Sequence, residues 1–126
     1  MLGNLLALFM GKGRKMVQVR KIDSGFDVAG QLVPDQMAEV STLGYKRVIC
    51  MRPDNEGFNQ PAFADIAAAA DKAGLTAIYF PVVPGQMTPD QARKLKTILG
   101  SESGPVLAFC ASGNRCAAAY DMARRV

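Results

Sequence analysis

Cys110 closes the apolar run VLAFC and is followed by Ala111, Ser112, Gly113 and Asn114, then by Arg115 and Cys116. These residue types in this order suit nucleophilic chemistry on an anion. A small loop that enters a helix presents consecutive N–H groups, which converge on an oxyanion. The same positive field favours a thiolate over a thiol. Gly113 lets the backbone turn tightly around bound oxygens. Arg115 can grip two such oxygens with its planar fork. Cys110 is therefore read as a thiolate nucleophile at the floor of an anion cradle spanning residues 110–115. The plainer reading is a buried cysteine ending a core strand before an ordinary helix. Strand, cysteine, small loop and arginine in one run favour the functional reading.

The chain has no histidine, which removes every His-based triad, Cys-His dyad and His-ligated metal site. Its three cysteines form no CxxC pair, so neither a structural zinc site nor a disulfide framework is expected. Sparse cysteine use points to a reducing, cytoplasmic setting. No metal and no cofactor is called for. Cys116 has two readings. It is a resolving thiol or sulfur acceptor for Cys110, or a small core residue of the helix, and the second is preferred. Cys50, inside RVICM, reads as inert packing.

The elements that must position this segment are legible as alternating strands and helices. FDVAG (26–30) reads as a short strand, and a helix follows from Pro34, with Met37, Val40 and Leu43 on one face and Gly44 beyond its end. RVICM (47–51) is an unalternated apolar run, as in a strand buried on both faces. A loop RPDNEGFNQ leads to a helix expected from Pro61, with Phe63, Ile66, Ala67 and Ala70 facing inward. TAIYFPVV (76–83) reads as another buried strand. Thr88 to Gln91 form a capping box, and Leu95, Ile98 and Leu99 line the helix behind it. PVLAFC (105–110) is the last strand, and a helix follows Arg115. The order βαβαβαβα implies an α/β three-layer sandwich with a mostly parallel central sheet. In such sheets ligands sit beyond the carboxyl ends of the strands. Two loops leave strands in that way, RPDNEG and CASGNR.

At 126 residues the chain is one domain by size. Residues 1–16 read as an apolar and basic leader ahead of a domain over 17–126. All five of Lys12, Arg14, Lys15, Arg20 and Lys21 fall in the first 21 residues, which hold no acid, so the net charge of +4 belongs to that arm. No aromatic interleaving or nucleic-acid motif accompanies it, and a nucleic-acid partner is not expected. The apolar run 2–10 is far shorter than the about 20 residues that span a bilayer, so no transmembrane segment is expected there. GKGRK lacks the spacing of a nucleotide P-loop.

Three stretches, FDVAGQLVPDQMAEVSTLGYKRVICMRPDNEG, YFPVVPGQMTPDQ and VLAFCASGNR, carry a resemblance. The chain resembles the phosphatase-like domain of the beta-lactamase-hydrolase-like family (domain of unknown function 442) over about residues 17–126. That family is related to dual-specificity phosphatases and is also associated with sulfur transfer. The resemblance implies a cysteine-phosphatase-like fold, with Cys110 as nucleophile, Ala111 to Asn114 as oxyanion loop and Arg115 as the anion-binding arginine. The loop departs from the phosphatase pattern. Cys-x4-Arg is one residue shorter than Cys-x5-Arg, Phe109 stands where a histidine is usual, and Cys116 replaces a Ser or Thr. The six-residue loop resembles that of many rhodanese sulfurtransferases. Pro84, Gly85 and Gln86 occupy the region of the general acid. Asp90 is the nearest carboxylate, with Asp54 and Glu56 in the neighbouring loop as comparable candidates. Arg52 adds positive field to the same mouth, or is simply a solvated loop residue. The phosphatase fold continues for more helix, whereas the chain stops 11 residues past Arg115. It is read as truncated there, with a partner or dimer covering the C-terminal side as the alternative.

Three functions are consistent with these residues. The first is a phosphatase-like hydrolase acting through a covalent Cys110 intermediate on a small phosphate ester. The second is a rhodanese-like sulfurtransferase carrying sulfane sulfur as a Cys110 persulfide. The third is a non-catalytic anion-binding module.

Overall fold

In a computed structural model, residues 16–126 are described. The leader expected over 1–16 lies, Met16 apart, outside the described residues. Five strands form one sheet in the order β1-β2-β5-β3-β4. They are β1 (Arg20–Asp23), β2 (Phe26–Ala29), β3 (Arg47–Cys50), β4 (Thr76–Tyr79) and β5 (Val106–Phe109). β1 pairs antiparallel with β2, and every other pairing is parallel. Among the described residues four α-helices flank the sheet: α1 (Met37–Thr42), α2 (Phe63–Lys72), α3 (Pro89–Gly100) and α4 (Asn114–Arg125). The expected three-layer α/β sandwich is the architecture observed.

β2, β3 and β5 are buried on both faces, whereas β4, expected as a buried strand, is an edge strand with Thr76 and Tyr79 exposed. Along β5 and just beyond it, Val106, Ala108 and Cys110 enter one core cluster, while Leu107 and Phe109 enter the other. Successive side chains of a strand point to opposite faces, so an unbroken apolar run feeds two cores. Leu95 of α3 and Cys116, Ala119 and Ala123 of α4 close one side. Met37 and Val40 of α1 and Ile66 and Ala70 of α2 close the other. β5 is the middle strand, so the chain that leaves it emerges at the centre of the sheet's carboxyl edge.

Several boundaries differ from the sequence reading. β1 was not signalled, because its RKID side chains are largely exposed and show no apolar pattern. The helix expected from Pro34 is a 3-10 turn over Pro34–Gln36 running into the six-residue α1. α2 begins at Phe63 rather than Pro61, because the Asp54 carboxylate accepts the Phe63 N–H at 2.8 Å and sets the start from outside the helix. The strand expected over 76–83 ends its ladder at Tyr79, just before Pro81, although the Phe80 and Val82 N–H groups still donate to the Cys50 and Met51 carbonyls. The Thr88 capping box is present as read.

Two buried polar residues tie the layers together. Arg47, 2% exposed, donates to the carbonyls of Ile98, Leu99 and Glu102 at the C-terminal end of α3. That places a cation where the helix dipole is negative. Asp27, 5% exposed, accepts the Tyr45 hydroxyl at 2.5 Å and lies 3.5 Å from the Lys21 ammonium.

Candidate active site

The loop Cys110–Gly113 bends directly from β5 into α4, whose N-cap is Gly113 at φ 92°. A side chain there is strained by the left-handed backbone, and an added Cβ would lie 3.3 Å from Val28 Cγ2. The loop is anchored to the segment after β2. Cys110 N–H donates to the Ala29 carbonyl, and Gln31 N–H to the Ala111 carbonyl. Gly30 permits this approach, since a Cβ at 30 would stand 3.1 Å from that Ala111 oxygen.

The result is a converging set of donors around one sulfur. The Gly113 N–H points at Cys110 Sγ at 3.0 Å. The Cys116 thiol donates to the same sulfur, the N–H groups of Cys116 and Ser112 also face it, and together they outweigh burial and bring the Cys110 thiol down to about 5. Cys116 itself is held protonated, because its hydrogen bond to Cys110 and its burial both push its thiol up. The two thiols therefore divide their roles: Cys110 is an anion at neutral pH and Cys116 is a donor to it. Cys50 is pushed up to about 11 by burial, which leaves it a neutral thiol.

Arg115 crosses the mouth of this cradle with its side chain 12% exposed. Its Nη1 donates to the Val82 carbonyl at 3.0 Å and to Glu56 Oε2 at 3.1 Å, with the Met51 carbonyl at 3.5 Å. Its Nη2 donates to Glu56 Oε1 at 2.9 Å. Nε is buried and has no partner. A guanidinium has five N–H donors in a fixed plane. The Glu56 and carbonyl contacts use three of them, and the two left over, on Nε and Nη2, share one edge. Glu56 also accepts Arg52 Nε at 3.0 Å. Its carboxyl is held below the usual carboxylate range, first by the hydrogen bond from Arg115 and then by that from Arg52. Arg52 in turn donates to the Gln31 side chain at 3.0 Å.

The residues singled out in the sequence separate into two groups. Cys110, Ser112, Gly113, Asn114, Arg115 and Cys116 form one cradle, and Ala111 lies in it as an anchor rather than a donor to the sulfur. Glu56 and Arg52 are joined to it through Arg115. Asp54 is not: its carboxylate caps α2. Asp90 is not either: its side chain is 90% exposed and pairs with Arg93 within the first turn of α3. A pocket of about 470 Å³ opens beside Cys110, Ser112, Asn114 and Arg115, and among the described residues no Asp or Glu lines it. Among the residues not foreseen, Gln31 orients both Arg52 and the loop, and Arg20 on β1 donates to Asn114 Oδ1 at 2.9 Å. Neither carried a signal, since the contacts span 94 residues in one case and join separate loops in the other.

Among the described residues, no group of three His, Cys, Asp or Glu side chains is placed to hold a metal ion. No described helix is long and apolar enough to cross a membrane.

Comparisons with known proteins agree with this architecture. The family described as beta-lactamase hydrolase-like protein, phosphatase-like domain, matches residues 18–126. A beta-lactamase hydrolase-like protein of Xylella fastidiosa is 30% identical over 104 residues, covering 82% of this chain. The chain spans 24% of that relative's length. A candidate phosphatase of Neisseria meningitidis, solved by crystallography, is 32% identical with a TM-score of 0.74, covering 79% of this chain and 71% of that one. The kinase-associated phosphatase, whose catalytic-site cysteine was replaced by serine for its structure, has the same fold at 9% identity, with a TM-score of 0.63 over 79% of this chain and 67% of its own. The fold is that of the cysteine phosphatases, and the chain belongs to the phosphatase-like domain family of the beta-lactamase hydrolase-like proteins.

Proposed function

We propose that this domain is a cysteine-dependent phosphatase-like hydrolase of small phosphate esters, with Cys110 as nucleophile and Arg115 as the anion-binding arginine. The observation that carries this reading is the ring of donors around Cys110 Sγ, which keeps a thiolate at the entrance of α4 beside a half-satisfied guanidinium. The Cys110 thiolate attacks phosphorus, the S–P bond forms, and the ester O–P bond breaks. The leaving oxygen takes its proton from water. A second water then cleaves the S–P bond, releasing phosphate and restoring the thiolate, to which Cys116 donates again. The loop N–H groups and the free Nε and Nη2 edge of Arg115 stabilise the equatorial oxygens as charge builds on them. Glu56 positions Arg115 by gripping its far edge.

A second reading, sulfur transfer, is favoured by one observation: Asp54 and Asp90, two of the candidate acids, are engaged elsewhere, and no described carboxylate lines the pocket. Here the Cys110 thiolate attacks the sulfane sulfur of thiosulfate, the S–S bond breaks and sulfite leaves without a proton. The resulting persulfide passes its outer sulfur to an acceptor thiolate. This route makes no demand for a general acid.

The two are separated by incubating the reduced protein with thiosulfate and, in parallel, with an aryl phosphate. Turnover of the aryl phosphate, lost in Cys110→Ser and reduced about 100-fold in Arg115→Lys, supports the hydrolase. A mass gain of one sulfur atom in the wild type but not in Cys110→Ser, with no phosphate released, replaces it with sulfur transfer. Neither activity in a folded protein leaves the anion-binding module.

A further inference from the structure

We propose that Arg20, on β1, is a positioning residue for anion binding: it holds the side-chain oxygen of Asn114 outside the pocket and so turns the amide nitrogen inward, as a donor to the bound oxyanion. This rests on the reading of residues 110–115 as the anion cradle.

Strand register brings the arginine to the loop. Arg20 pairs with Val28 across the antiparallel β1–β2 ladder. Directly opposed residues project from the same face of a sheet, and Val28 lies in the core cluster that holds Cys110 and Cys116. Val28 also backs the bend into α4, since an added Cβ at Gly113 would lie 3.3 Å from its Cγ2. Arg20 therefore stands beside the start of α4, and its Nη2 reaches Asn114 Oδ1 at 2.9 Å.

The chemistry of the two side chains fixes the orientation. A guanidinium has donors and no acceptor, so the amide must turn its oxygen toward it. Both protons of Nδ2 are then left, and among the described residues neither has an acceptor. Asn114 lines the pocket together with Cys110, Ser112 and Arg115. Its backbone N–H is directed at Ser112 Oγ at 3.3 Å, so the side chain is the donor that this residue can bring to an anion. Without Arg20 the amide rotates freely and can present its oxygen to the pocket, where a lone pair facing an anion repels it. Arg20 thus selects one of two amide orientations. Asn114 Nδ2 joins the loop N–H groups and the free edge of Arg115 as a donor to the same oxyanion.

The test is a double-mutant cycle in the full chain carrying Cys110→Ser, which removes turnover, with inorganic phosphate as the titrant in isothermal calorimetry. Asn114→Ala is expected to weaken phosphate binding about tenfold, and Arg20→Met about threefold. The double variant is expected to match Asn114→Ala alone, because Arg20 acts through that amide. Additive losses would mean that Arg20 acts through its charge, and they overturn the proposal. So does an unchanged affinity in either folded single variant. Asn114→Leu, close in size to the amide, takes the place of Asn114→Ala if that variant unfolds. A contact that merely ties β1 to α4 would lower the unfolding midpoint and leave phosphate affinity untouched, which also overturns the proposal. A Cys110→Ser chain that binds no phosphate overturns the cradle reading, and the proposal with it. The expected coupling in a protein whose wild type releases no phosphate from an aryl ester overturns the hydrolase reading alone.

Discussion

At the scale of single residues, the site is a contest over one proton. Burial alone raises a thiol's pKa, as it does for Cys50, only two residues from the Arg52 backbone oxygen that its sulfur contacts. Cys110 is equally enclosed, at 1% exposed, and moves the other way because four donors face its sulfur. The largest of these is the Cys116 thiol. Alkylation of Cys110 by iodoacetamide is expected to rise with pH around a midpoint near 5 and to be flat at neutrality. In Cys116→Ala the midpoint moves upward, because a donor to the charged form is lost while the backbone N–H groups remain. An unchanged midpoint would make Cys116 simple packing. The same shift links the site to stability. A folded thiol held below its unfolded value stabilises the protein fully above about 9, and that contribution fades as pH falls to about 5.

At the scale of elements, the decisive feature is the bend from β5 into α4. Gly113 adopts φ 92° with Val28 and the Ala29 carbonyl close behind it. Gly113→Ala is expected to cost about 1–3 kcal/mol in chemical denaturation and to abolish the 3.0 Å contact from residue 113 N–H to Cys110 Sγ. Thiolate formation at neutral pH should fall with it, read by thiol absorbance. A variant with wild-type stability and thiolate would mean that the loop relaxes without loss. The element scale also shows where local rules suffice and where they stop. Thr88 and Gln91 carry the whole capping box of α3, so its start was legible. α2 starts on a carboxylate nine residues upstream, which no local pattern announces.

At the scale of the whole molecule, buried polar contacts between distant residues hold the layers in register. Tyr45 reaches Asp27 across the sheet's edge, and Arg47 binds the end of α3. Tyr45→Phe leaves buried Asp27 without its hydroxyl donor, with Lys21 at 3.5 Å, and is expected to destabilise the fold by about 1–3 kcal/mol, measured by thermal or urea unfolding. A loss near zero would mean that water replaces the hydroxyl. The same scale explains the clamp on Arg115. Residues 51 and 56 follow β3, residue 82 follows β4, and they meet at the guanidinium that follows β5 because parallel strands bring their carboxyl ends to one edge.

The division between sequence and structure follows from the range of the interactions. Largely apolar runs at 47–51 and 105–110, helical spacing between them, and the order of the segments determined a three-layer sandwich with a mostly parallel sheet, because periodicity and burial are read within one segment. The run from Cys110 to Arg115 likewise named the cradle, since loop, helix start and charge are neighbours in the chain. Tertiary structure alone decided which carboxylate serves the site. Glu56, Asp54 and Asp90 are indistinguishable as letters, yet one grips Arg115, one caps α2 and one faces solvent. It also decided the pairing of Cys116 with Cys110 and the contact of Arg20 with Asn114. Those outcomes depend on where side chains separated by tens of residues come to rest, and only the packing of the layers sets that.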